Sequence, residues 1–450
     1  MKLTNLFTKT TKDIPSDETS KNAQLLIRAG FVHKTMAGVY AFLPLGLRVL
    51  NNIENIVRKH LNRIGGQEIL MNSLHPKIWW EKTNRWEGVD ILFKLKSQTN
   101  SEYALACSHE EQVTPVVGSF INSWKDLPQY SKVNGTFPLS VYQIQTKFRD
   151  ELRAKSGLLR GREFRMKDMY DFHINKESQD EYYEIVKETY LKIYSELGLK
   201  VYSVQASGGI FTENESHEFQ AVCGAGEDEI LYSESDGFAI NSEIYDEYVA
   251  KGGKAPAKET LKKAVSAEVG NIFKLDDKYT KPFEVSINDK DNKPLTPLMN
   301  CHGLGTSRVL GVIAEIYNDE KGLKWPESVA PFKYHLITNK EKDETLNKQI
   351  LDLASKFYSG NLVLVQKENG EFEFDDITDF NFPIISKDPS EFASEHVLWD
   401  NRENASIGEK LKDADLIGCP IQLVISKRSL ENGGVEVRNR NSGKSKVVAV

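Results

Sequence analysis

Lys147-Phe148-Arg149-Asp150-Glu151-Leu152-Arg153, followed by Gly161-Arg162-Glu163-Phe164-Arg165-Met166-Lys167-Asp168, is the stretch whose reading decides the fold. Polar and apolar residues alternate in short runs over 141–148 and 163–172, and again over 103–106. A period of two marks strands whose faces meet different surroundings. Such runs joined by short links predict a largely antiparallel sheet. The same alternation puts Arg149 and Glu151 on one face of one strand. A cation and a carboxylate spaced this way can grip two parts of one ligand. Arg149 suits a phosphate or carboxylate, and Glu151 an amino group. The link, 153–162, holds Arg153, Lys155, Arg160 and Arg162 with Gly157 and Gly161, a mobile basic hairpin suited to phosphate contact. Taken alone, an ordinary exposed hairpin with surface ion pairs is the plainer account of it.

Outward from this core, Leu47, Leu50, Ile53, Ile56, Val57, Leu61 and Ile64 recur at helical spacing. They predict an amphipathic helix over 45–64, stopped by Gly65-Gly66 and followed by a strand over 68–71. Tyr183, Val186, Tyr190 and Ile193 predict a second helix over 179–197. The polar stretch 233–267, with Lys251-Gly252-Gly253-Lys254, reads as a small surface excursion. After Trp325-Pro326 the pattern becomes a helix over 346–358 and strands over 362–366, 396–399 and 421–426. That mixture predicts a separate α/β domain. The expected fold class is therefore α/β (α+β), with domains over 1–330 and 331–450.

A second segment is Asn300-Cys301-His302-Gly303-Leu304-Gly305-Thr306-Ser307-Arg308, leading into a helical pattern. This G-x-G-x-x-R is no dinucleotide fingerprint, since arginine stands at the last position and no βαβ unit surrounds it. A cation in the first turns of a helix opposes the dipole unless it faces a polyanion. A plain Gly-rich strand-to-helix turn is the alternative. Ala106-Cys107-Ser108-His109-Glu110-Glu111 and Ser216-His217-Glu218-Phe219 are ambiguous alone, and His109 and His217 lack metal-ligand spacing.

The chain has 450 residues, 40% hydrophobic and 27% charged, enough for a sizeable core in two or three domains. Residues 1–13 lack an apolar run, so no signal peptide is expected, and 37–47 is too short to span a membrane. Cys107, Cys223, Cys301 and Cys419 lie far apart, which argues against a structural zinc or a disulfide framework and for a reducing compartment. The net charge is −7, yet residues 421–450 hold six basic residues against two acidic ones, a local +4. Phosphate binding needs local rather than overall positive potential.

In this order, the segments resemble the signature set of class II aminoacyl-tRNA synthetases, specifically the bacterial-type prolyl enzymes. Tyr40 to Arg48 with the following helix resembles motif 1, where Asn72 stands in place of the usual proline. Lys147 to Glu151 with Gly161 to Asp168 resembles motif 2, and Gly303 to Arg308 resembles motif 3. Ser108-His109-Glu110 is similar to the family's Thr-x-Glu signature, with serine for threonine. Ser216 to Phe219 and Glu268 to Leu275 are further family-like segments. Asp413 to Gly418 resembles the anticodon-binding domain shared with the threonyl, histidyl and glycyl enzymes. Only residues 220–267 separate Phe219 from Glu268, as in short forms that lack an editing insertion.

The resemblance implies a cytoplasmic homodimer that joins proline to tRNA(Pro), using ATP with phosphate-bound Mg²⁺ and no structural zinc. It implies ATP contacts at Arg149, Glu151, Phe164 and Arg308, the two arginines being catalytic. Proline would meet Ser108, Glu110, Arg149, Asp168 and His217. The tRNA would meet Arg153, Lys155, Arg160, Lys427, Arg438 and Arg440. A separate trans-editing deacylase is an implied partner, and no membrane association is expected. A threonyl enzyme would need zinc ligands, and no matching Cys/His cluster is present. A catalytically dead tRNA-binding paralogue would lack the ATP-binding arginines, which this chain keeps.

Overall fold

The computed structural model describes residues 1–14, 16, 18–128, 138–209, 212, 216–366, 371–376 and 396–450. They form two compact units, one of residues 34–41 and 53–315, the other of residues 1–33, 42–52 and 316–450. The division drawn at 330 follows the chain, whereas these units are not contiguous in sequence.

Helix α1, Pro44–Arg63, begins on a proline, whose missing N–H costs nothing in a first turn. Its stripe of Leu50, Ile53, Val57 and Leu61 is buried, as the spacing predicts. The strand expected over 68–71 is only β1, Gln67–Glu68, paired with Val141 and Tyr142. Beyond Ile69 the chain leaves the sheet edge, and Leu70 is exposed. Helix α2, Glu110–Phe120, comes next. Then β2, Leu139–Phe148, pairs antiparallel with β3, Glu163–His173. Helix α3, Lys176–Glu196, is capped by Asn175, whose side chain accepts from Ser178 N–H.

The sheet continues through β4 (Val201–Ala206), β5 (Ser216–Val222), β6 (Asp228–Tyr232), β7 (Ala239–Asn241), β8 (Lys262–Asp276) and β9 (Leu298–Leu304). Its nine strands run β5-β4-β7-β6-β8-β9-β3-β2-β1, with β5 also pairing with β8. Helix α4, Thr306–Ile316, follows β9 directly. Here the excursion expected over 233–267 needs correction. Lys262 to Ala267 belong to β8, a fifteen-residue strand within the sheet. Its first turns look polar because Lys262 and Lys263 are exposed ends paired with Glu234 and Glu229.

Alternation along β3 sorts two chemistries onto two faces. Phe164, Met166, Asp168 and Tyr170 line a cleft. On the other parity, Lys167 donates to the His302 carbonyl at 2.9 Å. Asp171 holds His173 Nε2 at 2.5 Å and His302 Nε2 at 2.6 Å. Burial lowers Lys167 to about 7. This buried polar layer, closed by Asn300 and Gln179 against α3, fixes the register of β3 and β9.

In the other unit, β10 (Tyr334–Thr338), helix α5 (Glu344–Tyr358), β11 (Val397–Asp400), helix α6 (Ile407–Ile417), β12 (Ile421–Ile425), β13 (Val435–Asn439) and β14 (Ser445–Val448) follow in order. The sheet order is β11-β10-β12-β13-β14, with β10 parallel to both neighbours. Tyr334, Leu336, Ile350, Phe357 and Leu423 belong to its core. The strand expected over 362–366 is present, paired with Phe372–Asp376. No helix among the described residues is long and apolar enough to cross a membrane.

Candidate active site

The cleft on the sheet, about 290 Å³, gathers Ser108, Glu110, Arg149, Phe164, Asp168 and Arg308. Six residues from four separate segments of the sequence therefore converge. A second recess of about 220 Å³ shares Arg149, Glu268 and Arg308 and adds Glu151 and Arg160.

Arg149 does not stand on a strand, contrary to the expectation from alternation. β2 ends at Phe148, and the Arg149 N–H donates to the Arg162 carbonyl at 2.8 Å as the chain turns away. Arg149 and Glu151 still reach one recess, through the loop rather than through a shared strand face. Burial lowers the Arg149 pKa, and the nearby Arg308 lowers it further. Its buried Nε has no partner among the described residues, so it is a donor available to a ligand. The guanidinium lies 5.1 Å from the Phe164 ring centre. Arg308, third residue of α4, donates to the Glu268 carbonyl at 2.9 Å and sits 3.7 Å from its carboxylate.

Glu151 is occupied: Arg160 holds it at 2.8 Å and also reaches Glu227 at 2.7 Å. Lys155 pairs with Glu227 at 3.2 Å, and Arg153 is exposed. The hairpin expected to be mobile is pinned by buried Leu158 and Leu159. Gly311 of α4 allows this, since a Cβ there would come within 2.9 Å of the Leu158 Cβ.

Ser108 Oγ is buried without a partner among the described residues. Glu110 Oε1 accepts from the Cys301 thiol at 3.0 Å. Asp168 is more committed than the sequence implies. Lys147 Nζ lies 2.6 Å from its carboxylate, and Gln143 Nε2 and Tyr170 Oη donate to it at 2.9 and 3.0 Å. Burial would raise Asp168, but Lys147 and His109 outweigh it and hold the carboxyl below its usual range. His109 is pushed down to about 3 by burial and by Lys147. The neutral ring donates from Nε2 to the Asn72 carbonyl at 3.0 Å and accepts from Lys147 on Nδ1 at 2.9 Å.

His217 is a correction. It faces α3, its Nδ1 bonded to Tyr183 Oη at 2.9 Å, and burial lowers it to about 4. Strand parity explains this: on β5 the next residue, Glu218, points into the cleft instead. Burial and then Glu268 raise Glu218 to about 8, so it is largely protonated at neutral pH. Glu218 and Glu268 were both within reach of sequence reading, by alternation, but carried no motif chemistry.

In the other unit, Arg440 overturns its expected role. β13 stops at Asn439, and Arg440 just beyond it is held within its own unit, at the Asp415 that Gln422, opposite Arg438, also reaches. It is buried, with Nη1 and Nη2 donating to Asp319 at 2.7 and 2.6 Å and Nε to the Asp415 carbonyl at 3.1 Å. Arg438 Nε stands 3.9 Å from Glu436, and Lys427 is 3.8 Å from Glu431. Arg440→Ala should therefore act on folding. We expect a stability loss of about 2–3 kcal/mol in denaturant titration, below a fully buried pair because Asp319 is partly exposed.

These features are those of a class II synthetase. Residues 93–317 match the family described as tRNA synthetase class II core domain (G, H, P, S and T), and residues 388–450 match the anticodon binding domain family. A proline–tRNA ligase of Wolbachia sp. subsp. Brugia malayi is 32% identical, covering 100% of this chain and 98% of its own. That of Ehrlichia chaffeensis is 34% identical over 98% and 96%. The chain belongs to the proline–tRNA ligase family. An alignment with the Sulfurihydrogenibium enzyme, 30% identical, extends over 597 residues against 465 for the Wolbachia one. This chain's 450 residues fit a short form without the insertion domain. Its fold is that of the Giardia lamblia prolyl-tRNA synthetase solved with prolyl-adenylate, with TM-score 0.71 and 19% identity, covering 94% of this chain and 72% of that one. The Cryptosporidium parvum enzyme with L-proline and AMP gives 0.69 and 16%, covering 94% and 71%.

Proposed function

We propose that this chain activates L-proline with ATP and transfers it to tRNA(Pro), using the cleft between Arg149 and Arg308. The observation that carries the reading is the convergence of two arginines, one with a buried unpartnered donor, beside a buried glutamate. The first two want a polyanion and the third wants a cation.

The proline carboxylate oxygen attacks the α-phosphorus, and the bond to the bridging oxygen breaks to release pyrophosphate. The 3′-terminal ribose hydroxyl of tRNA then attacks the adenylate carbonyl, and AMP leaves with the bonding pair. No covalent enzyme intermediate forms, so positioning and charge stabilisation supply the rate. Arg149 holds the α-phosphate and the carboxylate, and Arg308 the γ-phosphate. Glu151 receives the adenine amino group once Arg160 shifts, and Phe164 stacks on the base. Glu110 binds the proline ammonium, a charge-assisted contact of about 1.5–3 kcal/mol. Ser108 adds its free hydroxyl. Asp168 takes part chiefly by holding Lys147, Tyr170 and Gln143 in place. Glu218, on giving up its proton, and Glu268 would hold Mg²⁺ beside the phosphates, where the ion would supply charge neutralisation.

Residues 388–450 support recognition of the anticodon, with Arg438 and Lys427 rather than Arg440 as surface contacts, and Arg153 near the acceptor end. Exposed Leu70, Leu74 and Ile78 support a homodimer contact. The reading places the enzyme in the cytoplasm. Proline-dependent ATP–pyrophosphate exchange, assayed across the twenty amino acids, tests it. Strong exchange with another amino acid, and none with proline, would sink it.

The short form carries a further expectation. A pocket sized for proline cannot bar alanine sterically, and lost methylenes are worth only about 1–3 kcal/mol. The enzyme should form some alanyl-tRNA(Pro) and leave it intact, so a separate deacylase would clear it. Rapid hydrolysis of added alanyl-tRNA(Pro) by the purified protein would falsify this.

A further inference from the structure

Glu110 lines the cleft, while Glu111, next in the chain, does not. Both are fully buried. One guanidinium serves the two: Arg85 Nη1 stands 2.8 Å from Glu111 Oε1 and 3.4 Å from Glu110 Oε2. Arg85 is itself buried, 5.2 and 5.6 Å from the ring centres of Trp80 and Tyr279. Thr83 Oγ1 donates to Glu111 Oε1 at 2.9 Å, the same oxygen that Arg85 holds. A single positive charge between two buried carboxylates leaves an excess of negative charge. Such an excess needs a second cation or a proton.

We propose that Arg85, Glu110 and Glu111 form a charge-dividing unit. Glu111 draws Arg85 towards itself, leaving Glu110 a negative charge that the substrate's ammonium neutralises. The proposal rests on the reading of Glu110 as the ammonium ligand. Arg85 and Glu111 touch no substrate and are positioning residues. Without Glu111, Arg85 would close on Glu110 and cancel the charge that selects a cationic amine. A carboxylic acid of the same ring shape without the amine gains nothing from this unit.

A proton is the competitor of the ammonium. Burial lifts Glu111 above the ordinary carboxyl range, Arg85 opposes the rise and Glu110 adds to it. An ammonium beside Glu110 adds a second positive charge and so favours loss of the Glu111 proton. Proline affinity is therefore complete above the raised pKa and lost as pH falls through it. The surrounding groups do not substitute. Burial holds His75 neutral, at about 4, and Lys147 is committed to Asp168. Tyr170, Tyr279, Cys107 and Cys301 are all pushed up by burial and stay protonated.

Glu111→Gln keeps the shape of the side chain but frees Arg85. In pyrophosphate exchange its KM for proline should rise about tenfold or more, and that for ATP should stay within about twofold. Inhibition by cyclopentanecarboxylate should not change, and the fall in proline affinity at low pH should flatten. An unchanged proline KM overturns the proposal, as does an equal loss for cyclopentanecarboxylate. Glu110→Gln separates the two layers. If it leaves the proline KM unaltered, the ammonium reading fails. If it raises the KM while Glu111→Gln does not, only the charge division fails. Should Glu111→Gln not fold, Thr83→Val removes the hydrogen bond that helps keep Glu111 ionised. The loss of proline affinity should then set in at higher pH than in the unaltered enzyme, and an unmoved profile rejects the unit.

Discussion

Arg308→Ala should reduce proline-dependent pyrophosphate exchange by about 10²–10³-fold, the range seen when one preorganised charge-stabilising donor is removed. Arg308 and Arg149 line the same cleft, and Arg308 makes the Arg149 charge harder to keep. Like charges at close quarters are tolerable only where a ligand of opposite sign belongs. Among the described residues Arg308 is lightly held, by one carbonyl at 2.9 Å and a carboxylate at 3.7 Å. Its side chain is 27% exposed, so truncation leaves no buried polar group stranded. The melting temperature should accordingly stay within about 2 °C of the unaltered protein, since a surface change is worth about 0.5 kcal/mol at most. Arg308→Lys should recover little, because an ammonium lacks the planar fork that meets two phosphate oxygens. Exchange within a few-fold of normal in the alanine variant would place the γ-phosphate elsewhere.

Much of this site was legible because strands impose parity. Phe164, Met166, Asp168 and Tyr170 alternate in the sequence and line the cleft together. The same rule, applied to Ser216-His217-Glu218-Phe219, would have chosen Glu218 over His217, since Phe219 packs on Tyr190 of α3 and His217 must follow it. Motif likeness favoured the histidine instead. Parity also has ends. It failed at Arg149 because β2 stops one residue earlier, and where a ladder stops is decided by partners elsewhere in the chain. Arg440 looked like a surface cation because its partner, Asp319, lies over a hundred residues away. Arg85 was invisible for a related reason. It belongs to no periodic segment, and only folding brings it against Glu110 and Glu111. The polar opening of β8 concealed a sheet strand, because its first residues extend beyond the buried part.

Lys147→Met should be the most destabilising single change in the catalytic unit. Lys147 and Asp168 form an ion pair at 2.6 Å with both side chains essentially unexposed. Removing one partner strands the other charge, which costs about 3–5 kcal/mol. Asp168 would respond by taking a proton, because burial would then act on it without Lys147 to oppose it. The sign with pH follows from its depressed pKa. In the unaltered protein Asp168 contributes stability above the unfolded carboxyl pKa of about 3.9, lost as pH falls through the lower folded value. In Lys147→Met the folded value lies above the unfolded one. That contribution reverses, and the variant should lose stability as pH rises from acid towards neutral. Lys147→Met combined with Asp168→Leu removes both charges and should recover most of the stability, a coupling well outside additivity. It should not recover activity. His109 would keep its contact to Asn72, but Nδ1 would lose the Lys147 donor, and Tyr170 would lose the carboxylate that orients it beside Glu110. Denaturant titration at pH 5 and pH 8, with exchange measured on the same samples, separates these outcomes. A double variant with normal proline KM would mean that the buried pair serves stability alone.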